Sequence, residues 1–301
     1  MTAAAPTTPG DGTAAARVAC GQALVRGALR LVAREPDLRR CDSDLVHDLR
    51  VATRRLRASL RLYRDVLRAR HAGRLRDPVR RLTRLLGGPR QGAVSRELLG
   101  ELAPTLPAEL APAAAACGRF LDLRLERLCL VLECGLDRRR LRALREDLFA
   151  VAGPLLTANG DTAGLATWVL PRLRADVSAW RAAQPAAGAP LDAWHRFRVQ
   201  TKRLRYALEA GAPAGPEGFA GPIAALRALQ DVLGRQHDLL ALAADLDAAV
   251  RSMARLGSAD PATLQRARGL SALVLERARA VDPMPAASAA AATLAAEAGL
   301  G

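Results

Sequence analysis

The chain is poor in aromatic residues, nearly devoid of lysine and free of the common catalytic signatures. Aromatics make up 3% of its 301 positions, and no stretch sustains the period-two pattern of β-branched residues that a strand requires. That excludes a β-rich fold and leaves an all-α expectation. So few rings also argue against base readout, because single-stranded nucleic acid is gripped by stacking bases on aromatic side chains. H-E-x-x-H, P-loop, G-x-G-x-x-G and G-x-S-x-G motifs are all missing, so no catalytic residue, cofactor or metal site is expected. The five cysteines include no C-x-x-C pair and are odd in number. They read as small buried apolar residues in a reducing compartment. Residues 1–6 lack the basic and leucine-rich regions of a secretion signal. No run of about 18 strongly apolar residues exists to span a bilayer. A cytoplasmic protein that does not enter membranes is the expectation.

Positive charge is what the chain has in excess. It carries 45 basic residues against 30 acidic ones, a formal net charge of +15, and Lys202 is its single lysine. Guanidinium stays charged at any physiological pH and grips phosphate through two parallel hydrogen bonds. Between residues 50 and 90 there are 14 arginines and two acids, Asp65 and Asp77. Local ion pairs cannot neutralise that excess, which implies a polyanionic partner.

The charge is organised by a repeated motif. His47-Asp48-Leu49-Arg50-Val51-Ala52-Thr53-Arg54-Arg55-Leu56-Arg57 recurs 148 residues later as His195-Arg196-Phe197-Arg198-Val199-Gln200-Thr201-Lys202-Arg203-Leu204-Arg205. The shared pattern, H-x2-R-V-x-T-[RK]-R-L-R, points to an internal duplication. At 100° per residue, Arg50, Arg54, Arg57 and Arg61 fall within about 60° of one another, with His47 beside them. The apolar face through Leu45, Leu49, Ala52, Leu56, Leu60, Tyr63 and Leu67 lies roughly 110° away, so the stripe faces solvent or a groove.

Helical periodicity begins near Ala15, with Arg26, Arg30 and Arg34 on one face and a break at Glu35-Pro36-Asp37. The first stripe helix is expected over about 44–70, capped by Ser43. Further helices are expected over 76–87, 113–134 and 137–152, the last with a basic face through Arg138, Arg142 and Arg145. A second series covers 162–183, 191–210, a helix ending at Leu233-Gly234, 236–255 and 261–281. Residues 1–14 and the alanine-rich 284–301 read as tails. Two similar bundles, about 15–155 and 160–283, are expected from the repeat. His47-Asp48 and His237-Asp238 could contribute metal ligands, but no third and fourth ligands accompany them, and hydrogen bonding at an anion site suits the histidines better.

Three segments, 46–57, 195–209 and Leu229-Gln230-Asp231-Val232-Leu233-Gly234-Arg235-Gln236-His237-Asp238-Leu239, resemble the CHAD family, the conserved histidine α-helical domain, over about 15–283. The resemblance implies two helical bundles about a pseudo-twofold axis, with facing basic helices that bind inorganic polyphosphate, in bacteria at polyphosphate granules. Members are often joined to a CYTH triphosphatase-like domain; its absence from this sequence means that no activity comes with the likeness. The expected polyphosphate ligands are His47, Arg50, Arg54, Arg57, Arg61, His195, Arg198, Lys202, Arg205 and His237. Arg26, Arg30, Arg55, Arg90 and Arg203 form a secondary, peripheral set. A metal-dependent phosphohydrolase or a structural nucleic-acid-binding protein are the alternatives, and sequence-specific nucleic-acid binding is not expected. One departure stands out. The family's usual Arg-Asp in the first half is Arg90-Gln91 here, which removes an acid from the site.

Overall fold

The computed structural model describes residues 9–32, 41–159, 161–215, 219–297 and 300. Among them there is no strand. The described residues form eleven α-helices in order: α1 (Pro9–Val32), α2 (Ser43–Leu62), α3 (Ala69–Leu85), α4 (Gly87–Leu102), α5 (Ala111–Gly135), α6 (Arg138–Leu156), α7 (Thr162–Ala182), α8 (Leu191–Gly211), α9 (Ala220–Leu256), α10 (Pro261–Arg279) and α11 (Met284–Ala296).

Helix α2 begins one residue earlier than its expected cap implies. Asp42, not Ser43, is the N-cap: its carboxylate accepts from the backbone N–H of Asp44 at 2.7 Å and of Leu45 at 3.0 Å. The helix stops at Leu62 rather than near 70, and a single 3₁₀ turn follows. Tyr63 is fully buried there and its hydroxyl donates to the Ala210 carbonyl at 2.9 Å. Apolar spacing continues through Leu67, which hides this break from a reading of periodicity. Only Leu86 separates α3 from α4, and Gly87-Gly88-Pro89 forms the first turn of α4 rather than a stop, because a proline's missing donor costs no hydrogen bond there. At Gly234 no proline follows, and α9, 37 residues long in all, runs through the expected stop to Leu256. One glycine in a helix costs only about 1 kcal/mol.

Buried side chains form two clusters, and neither belongs to one half of the sequence. The larger joins Leu24, Leu49, Leu56 and Leu148 to Leu173, Trp180, Phe197 and Leu229. The smaller joins Leu98, Cys117 and Leu121 from α4 and α5 to Leu242, Leu246 and Leu270 from α9 and α10. The core is therefore not partitioned at the expected boundary near 155–160. A buried polar link ties the smaller cluster together: Ser95 donates to Asp245 at 2.8 Å, and Arg124 pairs with the same carboxylate.

Both presumed tails need correction. Helix α1 starts at Pro9, inside the stretch read as unstructured; residues 1–8 lie outside those described. The alanine-rich end forms α11, whose Ala287, Ala290 and Leu294 are fully buried in the larger cluster. A ridge of small residues at helical spacing packs closely even without bulk, so an alanine-rich segment need not be a tail. The cysteines also differ from expectation. Cys41 and Cys129 form a disulfide with Cα atoms 5.5 Å apart, a separation that permits the bond. It staples the entrance of α2 to α5. Cys20 and Cys117 are buried free thiols, pushed up to about 12 and about 11 by desolvation, whereas Cys134 is exposed.

If α11 is part of the core, Leu294→Ala should lower the unfolding free energy by about 2–5 kcal/mol, as for other buried leucines. Chemical denaturation measures this; a change below about 0.5 kcal/mol would restore the reading of residues 284–301 as a tail.

Candidate functional site

The repeated motif builds its own support. Leu56 and Leu204 are buried at 1% and 2% exposure, which fixes the rotation of α2 and α8. Each motif threonine is fully buried and bonds back to its own helix. Thr53 donates to the Arg50 carbonyl at 3.0 Å and Thr201 to the Phe197 carbonyl at 2.9 Å. Thr201 also accepts from the Trp180 indole at 3.0 Å, and its carbonyl accepts from Gln230 at 3.2 Å. These anchors lock α8 against α7 and α9. Helices α2 and α8 pack on each other, so the two stripes meet.

Where they meet, cations crowd one another. Burial pushes the Arg50 guanidinium down to about 10, helped by repulsion from Arg54, Arg90 and Arg198. Arg198 is lowered by burial and by Arg54, against the pull of Asp238. Lys202 is the most affected: desolvation first, then Arg198, Arg54 and Arg50, bring it to about 7 despite Asp238. His237 is pushed down to about 3 by burial and by Arg198, His195 and Lys202. It is therefore neutral at physiological pH rather than a tunable charge. The His195 and His237 rings lie 5.0 Å apart between centroids. Asp238 sits among these cations, yet burial lifts its carboxyl above the usual carboxylate range, with Arg198, Lys202 and Arg90 pulling the other way.

Among the described residues three buried side-chain donors have no acceptor, Arg198 Nε, Arg205 Nε and Gln91 Nε2. An unmet buried donor costs roughly 1–3 kcal/mol, and each belongs to a group that could hold a ligand oxygen. Arg90 joins the cluster from α4, donating to Ser43 at 3.3 Å. Among the described residues no group of three or more His, Cys, Asp or Glu is placed to hold a metal ion.

Not every stripe residue reaches the cluster. Arg61 pairs with Asp176 at 3.0 Å and also donates to the Arg203 carbonyl at 3.3 Å. Arg205, only 13% exposed, pairs with Glu209 at 2.7 Å and lies over the Tyr206 ring. Arg55 pairs with Glu209 at 3.2 Å. Arg61 and Arg205, both expected as ligands, are thus ion-paired inside the fold, although the buried Arg205 Nε has no acceptor among the described residues. His47, Arg57 and Arg203 are exposed. Arg26 and Arg30 lie apart from the cluster, in a cleft with Arg55 and Arg227. Sequence reasoning missed Glu209, Arg227 and Asp176 as determinants; it named Asp238 only as a candidate metal ligand and Gln91 only as a lost acid. Glu209 had a signal, its i,i+4 spacing from Arg205; Asp176 pairs across 115 residues and had none.

Fold and site together define an all-α protein whose two basic helices meet over a shared core. The chain belongs to the CHAD domain family, whose model matches residues 23–247. Its structure is similar to the crystal structure of the CHAD domain from the plant Ricinus communis, with a TM-score of 0.69 and 23% identity over 91% of each chain. It is also similar to PptA from Streptomyces chartreusis, with a TM-score of 0.68 and 22% identity, covering 90% of this chain and 98% of that one. No curated protein sequence matches the chain significantly.

The low proton affinity of Lys202 gives a signed prediction. Its folded-state value of about 7 lies below the ordinary 10.5, so between those pH values the unfolded chain binds more protons. Stability should therefore rise with pH across this window through the Lys202 contribution. Melting temperature followed from pH 7 to 10 in wild type and Lys202→Met checks this: the variant should show a flatter rise, and parallel curves would place Lys202 in water.

Proposed function

We propose that this protein binds inorganic polyphosphate, without hydrolysing it, in the cationic cluster between α2 and α8. The observation that carries the reading is the pairing of surplus charge with surplus donors. Arg90, Arg198, Lys202 and Arg235 surround the Asp238 carboxylate, Arg50 and Arg54 add their charge to Arg198 and Lys202, and Arg198, Arg205 and Gln91 hold buried N–H groups without acceptors among the described residues. The matching ligand offers many anionic oxygens and no donors of its own. Polyphosphate has that chemistry, with about one charge per phosphate and no bases to read.

Membership of the CHAD family supports the same choice, since the family resemblance implies polyphosphate binding. The aromatic inventory favours it over nucleic acid: Tyr63, Trp180, Trp194, Phe197 and Tyr206 are all buried, so the stripe helices present no stacking platform. No helix among the described residues is long and apolar enough to cross a membrane. The proposed setting is the cytoplasm, at polyphosphate granules. His195 and neutral His237 border the cluster and supply hydrogen bonds, while exposed His47 and Arg57 extend the basic track along α2.

Binding of a flexible polyanion by preplaced cations releases counterions, so log K should fall linearly with log salt, by analogy with nucleic acid. If one chain bridges both helices, their contributions are linked through effective concentration. Arg50→Ala/Arg54→Ala and Arg198→Ala/Lys202→Ala should then each weaken long-chain binding by more than tenfold. Melting temperatures should hold or rise as repulsion is relieved. Titration by fluorescence anisotropy, with phosphate release followed in the presence of Mg²⁺ or Mn²⁺, reads all of this. Half the sites retained at unchanged affinity would show that the helices bind separately; affinity unaffected by salt, or release of phosphate above a blank, would overturn the proposal.

A further inference from the structure

A second basic cleft, of about 380 Å³, opens beside Tyr206 between α1, α2, α8 and the start of α9. None of the central cations, Arg50, Arg54, Arg198 or Lys202, lines it. Arg26, Arg30, Arg55 and Arg227 do, with Glu209 as their one acid. Arg26 and Arg30 stand one turn apart on α1, both exposed. Neither pairs with a carboxylate among the described residues.

Glu209 is already divided among three cations. Arg205 holds it at 2.7 Å, Arg55 at 3.2 Å and Arg227 at 3.9 Å. One carboxylate so shared cannot also neutralise the α1 pair. Arg30 registers the shortfall: burial lowers its proton affinity, and repulsion from Arg55 and Arg26 adds to this against Glu209. The lining beneath the arginines includes Ala23, Gly27, Ala52 and Leu56. A Cβ at Gly27 would come within 2.2 Å of Leu56, so α1 lies close against α2 there. An apolar floor strengthens the field of the charges above it.

We propose that this cleft is a separate site for a compact oligophosphate such as inorganic triphosphate, gripped by Arg26, Arg30 and Arg55, with Glu209 as a built-in competitor for the same guanidinium groups. Its volume lies at the small end of ligand pockets, which run from about 300 to 1,000 Å³. No ring is free to stack a base: Tyr206 is 6% exposed and the Arg205 guanidinium lies 4.3 Å from its centroid. A short phosphate run therefore suits the cleft better than a nucleotide. This site does not depend on long-chain binding by the central cluster.

Isothermal titration of the full-length protein with inorganic triphosphate tests the assignment, with Arg50→Ala/Arg54→Ala as the background that disables the central cluster. In that background one equivalent of triphosphate should bind, at least tenfold more tightly than ATP or sulfate. Adding Arg26→Ala/Arg30→Ala should weaken it at least tenfold, with the helical signal and melting curve retained because both side chains are exposed. Glu209→Gln should tighten it at least threefold, since Arg55 and Arg227 lose their internal anion. A merely structural carboxylate would instead weaken binding when removed. Absence of triphosphate binding in the background, equal affinity for sulfate, an unchanged affinity in the α1 variant, or weakening by Glu209→Gln would each overturn the proposal. Long-chain titration of the otherwise unsubstituted protein reports separately on the central cluster.

Discussion

Arg50, Arg54, Arg198 and Lys202 can be held within one another's field only because the opposite faces of α2 and α8 are locked into a common apolar core. Like charges at this range repel, and their partial burial removes the water that would screen them. The free energy needed to keep them together comes from elsewhere in the fold. Leu49, Leu56, Phe197 and Leu204 are each no more than 2% exposed. Burying side chains of that size stabilises by roughly 1.5–3 kcal/mol apiece. The threonine back-bonds and the Trp180 indole fix the rotation of the helices, so repulsion cannot be relieved by turning a stripe outward. The cluster is thus held together against its own repulsion, the preorganisation that the proposed anion site would require.

The two stripes share a motif but not a charge environment. Where the first copy has Arg61, the position 148 residues on is Glu209, and this one difference reorganises its surroundings. Arg61 turns to Asp176, while Glu209 collects Arg55, Arg205 and Arg227. A second difference lies at Gln91, whose counterpart at an offset of 147 is Asp238. The position that is an acid at Asp238 is an amide at Gln91, whose buried nitrogen has no acceptor among the described residues. Each half of the repeat retains the helix and changes what the helix neutralises.

Local features of the sequence translated well into structure, and long-range ones did not. Helix α8 occupies 191–211 where periodicity indicated 191–210, and α7 and α10 fall within a few residues of their expected bounds, because spacing of apolar residues and flanking prolines are local signals. The facing of Arg50 and Arg54 toward Arg198 and Lys202 followed from the repeat and from the CHAD resemblance together. The neutralisation of Arg61 by Asp176 and the Cys41–Cys129 bond join positions 115 and 88 residues apart, and nothing in either segment marks its partner. Helix α11 was illegible for another reason. Its buried face is made mostly of alanine, so burial depends on how closely α9 approaches rather than on hydrophobic contrast within the helix.

The sharing of both cores between the halves bears on how the chain is made. Helix α1 packs against α6 and α7, and Ser95 meets Asp245 across 150 residues, so neither cluster can close until most of the chain has left the ribosome. At about 5–20 residues per second, the first hundred and fifty residues wait on the order of ten seconds or more with Leu24, Leu49, Leu98 and Leu121 lacking the partners that α7 to α11 supply. During that interval the nascent chain carries apolar faces beside dense arginine stripes, close to the most abundant polyanion in its surroundings, ribosomal RNA. Biosynthesis of this fold therefore runs through an interval of exposure that a pair of independently folding bundles would largely avoid.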